Sequence, residues 1–157
     1  MRLLIRIFSL LPLSVLHAIS DVVIYPLMYY VAGYRKKVVR RNLGRSFPDK
    51  SQRELREMEQ KFYHRFSDTL VEIVYGYRAS AEEMRERVVF ENVNLIDDLA
   101  LRTRGVIVWM GHVGNWEWIA ELNRHFADPA MVQYNVYRQL KNPQADKMII
   151  ELRGKRG

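Results

Sequence analysis

Residues 105–118 read GVIVWMGHVGNWEW, and the fold turns on how the first half of that stretch is understood. Val106 to Met110 is an apolar, partly β-branched run between Gly105 and Gly111. Such a run has the length and composition of a strand buried on both faces inside a parallel sheet. Gly111 and Gly114 tolerate positive φ and so allow a tight turn out of that strand. His112 and Glu117 are five residues apart, about 500° on a regular helix, so they would not share a helical face. They can meet only if His112 lies on the turn and Glu117 in the first turn of the next helix. The carboxyl end of a strand is where open α/β sheets bind ligands, and a helix N-terminus there favours negative charge.

Working outward, Val88 to Glu91 is a second candidate strand and Leu95 to Arg102 a helix. Residues 115–126 have the pattern of a helix, Met131 to Tyr137 that of a strand, and residues 143–153 that of another helix. Alternation of this kind predicts an α/β fold. Upstream, Ser51 with Glu54 and Ser80 with Glu83 form two S-x-x-E capping boxes, the first opening a long helix and the second a short one. Phe62, Phe66, Leu70 and Ile73 keep helical spacing in the long helix and are its expected core face. SFPDKS, around Pro48 and Asp49, is a break. A short basic helix before it is expected to stop near Leu43, with Gly44 just past its end.

The 157 residues suffice for one domain with a core. The absence of cysteine excludes a disulfide framework and a thiol nucleophile, and argues against a zinc site. The formal charge of +7 is concentrated: Arg35, Lys36, Lys37, Arg40, Arg41 and Arg45 fall in one stretch without an acidic residue, and the rest of the chain carries +1. Such a band suits a polyanion, either nucleic acid or an anionic membrane surface. What precedes it favours the membrane. Uncharged runs of 14 residues (Ile7 to Ser20) and 13 residues (Val22 to Tyr34) flank Asp21. Each is shorter than the roughly 20 residues that span a bilayer, and Pro12 and Pro26 would bend a helix there. The expected form is a membrane anchor over residues 1–34, as one tilted span or a re-entrant hairpin; a buried helix pair is the alternative. Tyr25, Tyr29, Tyr30 and Tyr34 suit the interface, and the basic band fits the cytoplasmic side.

At the turn, His112 is the side chain able to take a proton from a hydroxyl near neutral pH. Glu117 could hold the far ring nitrogen and stabilise the imidazolium, as the third member of a serine-protease triad does. No enzyme nucleophile is needed if the attacking group is the substrate's own hydroxyl. The spacing alone says little. With four histidines and eleven glutamates, a chance His-x4-Glu arises in roughly a quarter of such chains. Taken by itself, a structural histidine capping a helix is the better account of it. Trp116 and Trp118 are expected to pack.

The segment MGHVGNWEW resembles the His-x4-Asp/Glu block of glycerolipid-type acyltransferases, and most of all the lipid A biosynthesis lauroyl/myristoyl acyltransferase family. The N-terminal apolar segment, RKKVVRRNL with the following SFP, and VYRQLKNP at 136–143 resemble that family in the same order. The resemblance implies residues 1–34 as the anchor and residues 35–157 as the N-terminal part of an acyltransferase domain, a helix-flanked sheet. It implies His112 as general base, Glu117 as its orienting carboxylate, and direct attack of a lipid A precursor hydroxyl on the thioester of acyl-[acyl carrier protein]. That carrier is the co-substrate, and no other cofactor and no metal is implied. Arg138 would bind substrate phosphate or developing charge, or lie free on the surface. Gly114 and Asn115 would shape the turn and present donors. The implied location is the cytoplasmic face of the bacterial inner membrane. Family members are longer, so the chain is expected to be truncated at its C-terminus. A second class of function is a non-catalytic module binding the membrane surface or the carrier protein. No nucleic-acid-binding motif is present.

Overall fold

Pro12 opens the first long helix of the molecule. The computed structural model describes residues 2–154 except Pro129. The chain divides into two compact units, one spanning Leu4–Tyr75 and the other beginning at Gly76. The first holds most of α1 (Arg2–Phe8), all of α2 (Leu13–Val31) and α3 (Lys36–Ser46), and nearly all of α4 (Gln52–Gly76).

In α2 the Pro12 carbonyl accepts from the amides of Val15 and Leu16 at 3.0 and 3.1 Å. The helix then runs 19 residues, through both Asp21 and Pro26, so most of the two short runs seen in the sequence falls in one element. It widens into π-helical turns at Ser20–Ile24 and Leu27–Val31, on either side of Pro26. A proline ring clashes with the carbonyl four residues back and lacks a donor. Wider turns, with Tyr25 N–H reaching Ser20 and Ala32 N–H reaching Leu27, accommodate both defects. The buried residues of α2 are therefore Leu16, Ser20, Tyr25 and Tyr29, with a step of five where the turn widens.

Helix α3 does not stop at Gly44. That glycine lacks a left-handed φ, and the helix continues to Ser46. Pro48 disfavours helical backbone at Phe47 and ends it. The capping box of α4 forms as expected: Ser51 N–H donates to Glu54 Oε2 at 2.9 Å and Glu54 N–H to Ser51 Oγ at 3.3 Å. The core face of α4 is shifted from the expected one. Glu59, Tyr63, Ser67, Val71 and Tyr75 are buried, whereas Phe62 is exposed and Phe66, Leu70 and Ile73 are half-buried. The shift follows the partner. Tyr63 packs on Tyr25 and Tyr29 with Met28 and Val39 beside them, and its hydroxyl donates to the Tyr34 carbonyl. Buried Glu59 is paired with Arg40 Nε of α3 at 2.8 Å.

The second unit holds α5 (Ala81–Arg87), α6 (Asn94–Arg102), a 3₁₀ helix (Trp116–His125) and α7 (Pro143–Gly154). The Ser80–Glu83 capping box forms with both reciprocal bonds. The expected sheet does not. Among the described residues there is no strand, so the α/β reading is overturned, and the runs 88–91, 106–110 and 131–137 are irregular. Ile107 is 94% exposed and Trp109 95%. A β-branched run favours extended backbone locally, but a strand exists only where a second chain segment completes its ladder. No described segment pairs with Val106–Met110, so it has no ladder and no covered face.

Candidate active site

The site is built around the turn. Gly114 adopts φ +59°, and Val113 N–H closes back on the Gly111 carbonyl at 3.0 Å. Asn115 follows at the N-cap of the 3₁₀ helix, where its carbonyl accepts from Trp118 N–H at 3.2 Å. The helix expected over 115–126 is present, but wound at three residues per turn. Residues three apart therefore align, which places Glu117 and Ala120 together on the buried side.

His112 is exposed on the irregular segment before the turn. Its ring lies against Trp116, centroids 5.0 Å apart and planes tilted by 55°. Trp116 Nε1 donates to Glu117 Oε1 at 3.1 Å, so the indole does more than pack: it connects the histidine to the glutamate. Among the described contacts no hydrogen bond joins His112 and Glu117 directly. Glu117, with 7% of its side chain exposed, faces Arg153 from the last turn of α7. Arg153 Nε donates to Oε2 at 2.9 Å and its terminal nitrogen to Oε1 at 2.7 Å, a bidentate fork. This hydrogen bond pushes the guanidinium's pKa further up. Oε1 thus accepts from two donors and Oε2 from one, which leaves an acceptor position on Oε2.

The supporting contacts fix both ends of the pair. Arg153 lies over the Tyr137 ring at 5.1 Å. Asp146, buried in the first turn of α7, accepts from Leu140 N–H at 2.8 Å and anchors the helix. Gln133 Nε2 donates to the Ile119 carbonyl at 3.3 Å, and its amide donates to Asn123 Oδ1 at 3.2 Å. Residues 131–137 are thereby tied to the 3₁₀ helix by side chains, in place of the expected ladder.

The structure thus brings His112, Trp116, Glu117 and Arg153 together, with Gly114 and Asn115 forming the turn between them. Arg138 is exposed and has no partner among the described residues. Arg153 was not legible in the sequence. It lies 36 positions from Glu117, on a helix whose pattern marks only its start and length.

A comparison with protein families now assigns the class, which is acyltransferase: the model for bacterial lipid A biosynthesis acyltransferases matches residues 2–157. The chain belongs to the bacterial lipid A biosynthesis acyltransferase family. No curated protein and no solved structure matches it.

Proposed function

We propose that this chain carries the acceptor-activating machinery of a membrane-bound enzyme moving a fatty acyl group from acyl-[acyl carrier protein] to a hydroxyl of a lipid A precursor. His112 takes the acceptor's proton as the hydroxyl oxygen attacks the thioester carbonyl. The carbon–sulfur bond breaks, and the proton passes from the imidazolium to the departing thiolate. Glu117 orients the imidazole and stabilises its charged form through the open position on Oε2. Arg138, exposed and unpaired among the described residues, binds the acceptor's phosphate or the developing oxyanion. The reaction takes place at the cytoplasmic face of the inner membrane. The single observation that supports this reading most is the buried Glu117 carboxylate, oriented by a bidentate arginine beside the His112-bearing turn.

The decisive experiment is acyl transfer in vitro with His112→Ala in the full chain, with circular dichroism as the folding control. Transfer should fall to background while the spectrum is retained; substantial transfer by a folded variant refutes the dyad. Arg138→Ala should weaken acceptor binding with stability unchanged within about 0.5 kcal/mol, because an exposed, unpartnered side chain contributes little to the fold. A second reading, a non-catalytic surface module, draws on four exposed cations of the basic band: Arg35, Lys37, Arg41 and Arg45 have no partner among the described residues. It predicts vesicle binding that falls with salt and no acylated product.

A further inference from the structure

Helix α2 is the one described element long and apolar enough to cross a membrane, with mean hydropathy 1.3. Only 22% of that apolar window is buried, which a core helix would not tolerate. Its exposure is not uniform around the axis. The buried stripe is Leu16, Ser20, Tyr25 and Tyr29, and its two tyrosines pack on Tyr63 of α4. Shifted by two positions lies a second stripe, Ala18, Val22, Leu27 and Val31, which is apolar throughout and exposed, with Val22 at 75% and Val31 at 76%.

The stripe facing α4 is lined by polar pairs along the helix. His17 Nε2 lies 3.3 Å from Glu72 Oε1, and Asp21 Oδ1 lies 3.2 Å from His64 Nδ1. The His64 ring also stacks on Tyr25 with centroids 3.6 Å apart, and Tyr29 meets Tyr63 at 5.3 Å. These contacts run α4 antiparallel to α2. Along the stretch that faces α2, the far side of α4 presents Lys61 and Arg65, both exposed. If α2 crossed the bilayer, α4 would be carried into the hydrocarbon with that charged face outward, which charged side chains on lipid-facing helices do not tolerate. The apolar stripe can meet lipid, and the charged side of α4 remain in water, only if the two helices lie parallel to the membrane surface.

We propose that α2 lies in the plane of an anionic phospholipid bilayer, immersed through Ala18, Val22, Leu27 and Val31, with α4 as its water-facing cover. The occupant of the stripe is lipid because its charge neighbours fit: five residues after Val31 the chain enters α3, and Arg35 just before it and Lys37, Arg41 and Arg45 within it are exposed without partners among the described residues. Cations of that kind beside an interfacial apolar face draw anionic head groups.

The chain contains no cysteine, so single cysteines are unique labelling sites. Nitroxides at Ala18→Cys, Val22→Cys, Leu27→Cys and Val31→Cys in the full chain, bound to vesicles of phosphatidylethanolamine and phosphatidylglycerol, report depth by collision with oxygen and a water-soluble nickel chelate. The expected result is one common depth, about 5–10 Å below the head-group boundary, with Lys61→Cys in water. A 19-residue helix is about 28 Å long, close to the hydrocarbon thickness, so a crossing helix would put Val22 near the midplane and Val31 near a surface. That gradient overturns the proposal, as do collision rates unchanged by vesicles. Neither result depends on catalysis, so the fate of His112 as a base is decided separately.

Discussion

Replacing Arg153 with methionine keeps the length of the side chain and removes the fork that holds Glu117. Two charge-assisted bonds, at 2.7 and 2.9 Å, are lost from a carboxylate with 7% of its surface exposed. Leaving one partner of a buried pair uncompensated costs about 3–5 kcal/mol. Two features put this site at the lower end. Arg153 is itself 24% exposed, and Trp116 continues to donate to Oε1. The expected loss is therefore about 3 kcal/mol, most of it the desolvated charge of Glu117. All three tryptophans, Trp109, Trp116 and Trp118, lie in the unit that begins at Gly76, so urea unfolding followed by tryptophan emission reports that unit. With a urea slope of about 1 kcal/mol per molar, the midpoint moves down by about 3 M, or the unit is unfolded in buffer. Glu117→Gln removes the charge that Arg153 compensates, so the double variant should recover at least about 1.5 kcal/mol of the sum of the singles. Arg153→Lys should restore part of the stability, because one ammonium cannot reproduce the fork. Additivity of the two single variants to within about 0.5 kcal/mol would refute the pair and the account of how Glu117 is oriented.

In the first unit, Arg40→Ala leaves buried Glu59 without its ion-pair partner, and Arg40's own exposure moderates the cost to about 1–2 kcal/mol. Arg41→Ala, at an exposed cation without a described partner, should change thermal unfolding by less than about 0.5 kcal/mol, and equal effects of the two would contradict the assigned pairing. Glu54 yields a pH dependence. Its bond to Lys50, then those to the Ser51 amide and hydroxyl, lower its pKa from 4.5 to about 2. A carboxyl lowered in the folded state contributes stability that is complete above 4.5 and disappears as pH falls towards 2. The urea midpoints of the native protein and Glu54→Gln should thus differ near neutrality and converge through that window; a constant gap would show that the carboxyl does not titrate as described.

The local features of the chain were legible because their causes are local. Ser51 and Glu54, and Ser80 and Glu83, satisfy amides within three residues of themselves, so each box forms whatever surrounds it. Gly114 takes the left-handed φ that the turn before Trp116 needs, and the order of helices after it follows from spacing. The apolar character of residues 13–31 was equally plain, although the wide turns that carry one helix past Pro26 were not. The rest depended on partners far away in the chain. The core face of α4 moved from Phe62 to Tyr63 because Tyr25, Tyr29 and the Tyr34 carbonyl are what it meets. Val106 to Met110 has the composition of a strand, but a ladder belongs to two segments, and no described segment supplies the second. The sequence by itself determined where helices begin, where the chain turns, and that His112 and Glu117 flank one turn. Only the tertiary structure decided that Glu117 is held by Arg153, 36 residues away, because a bidentate ion pair is set by where two helices come to lie.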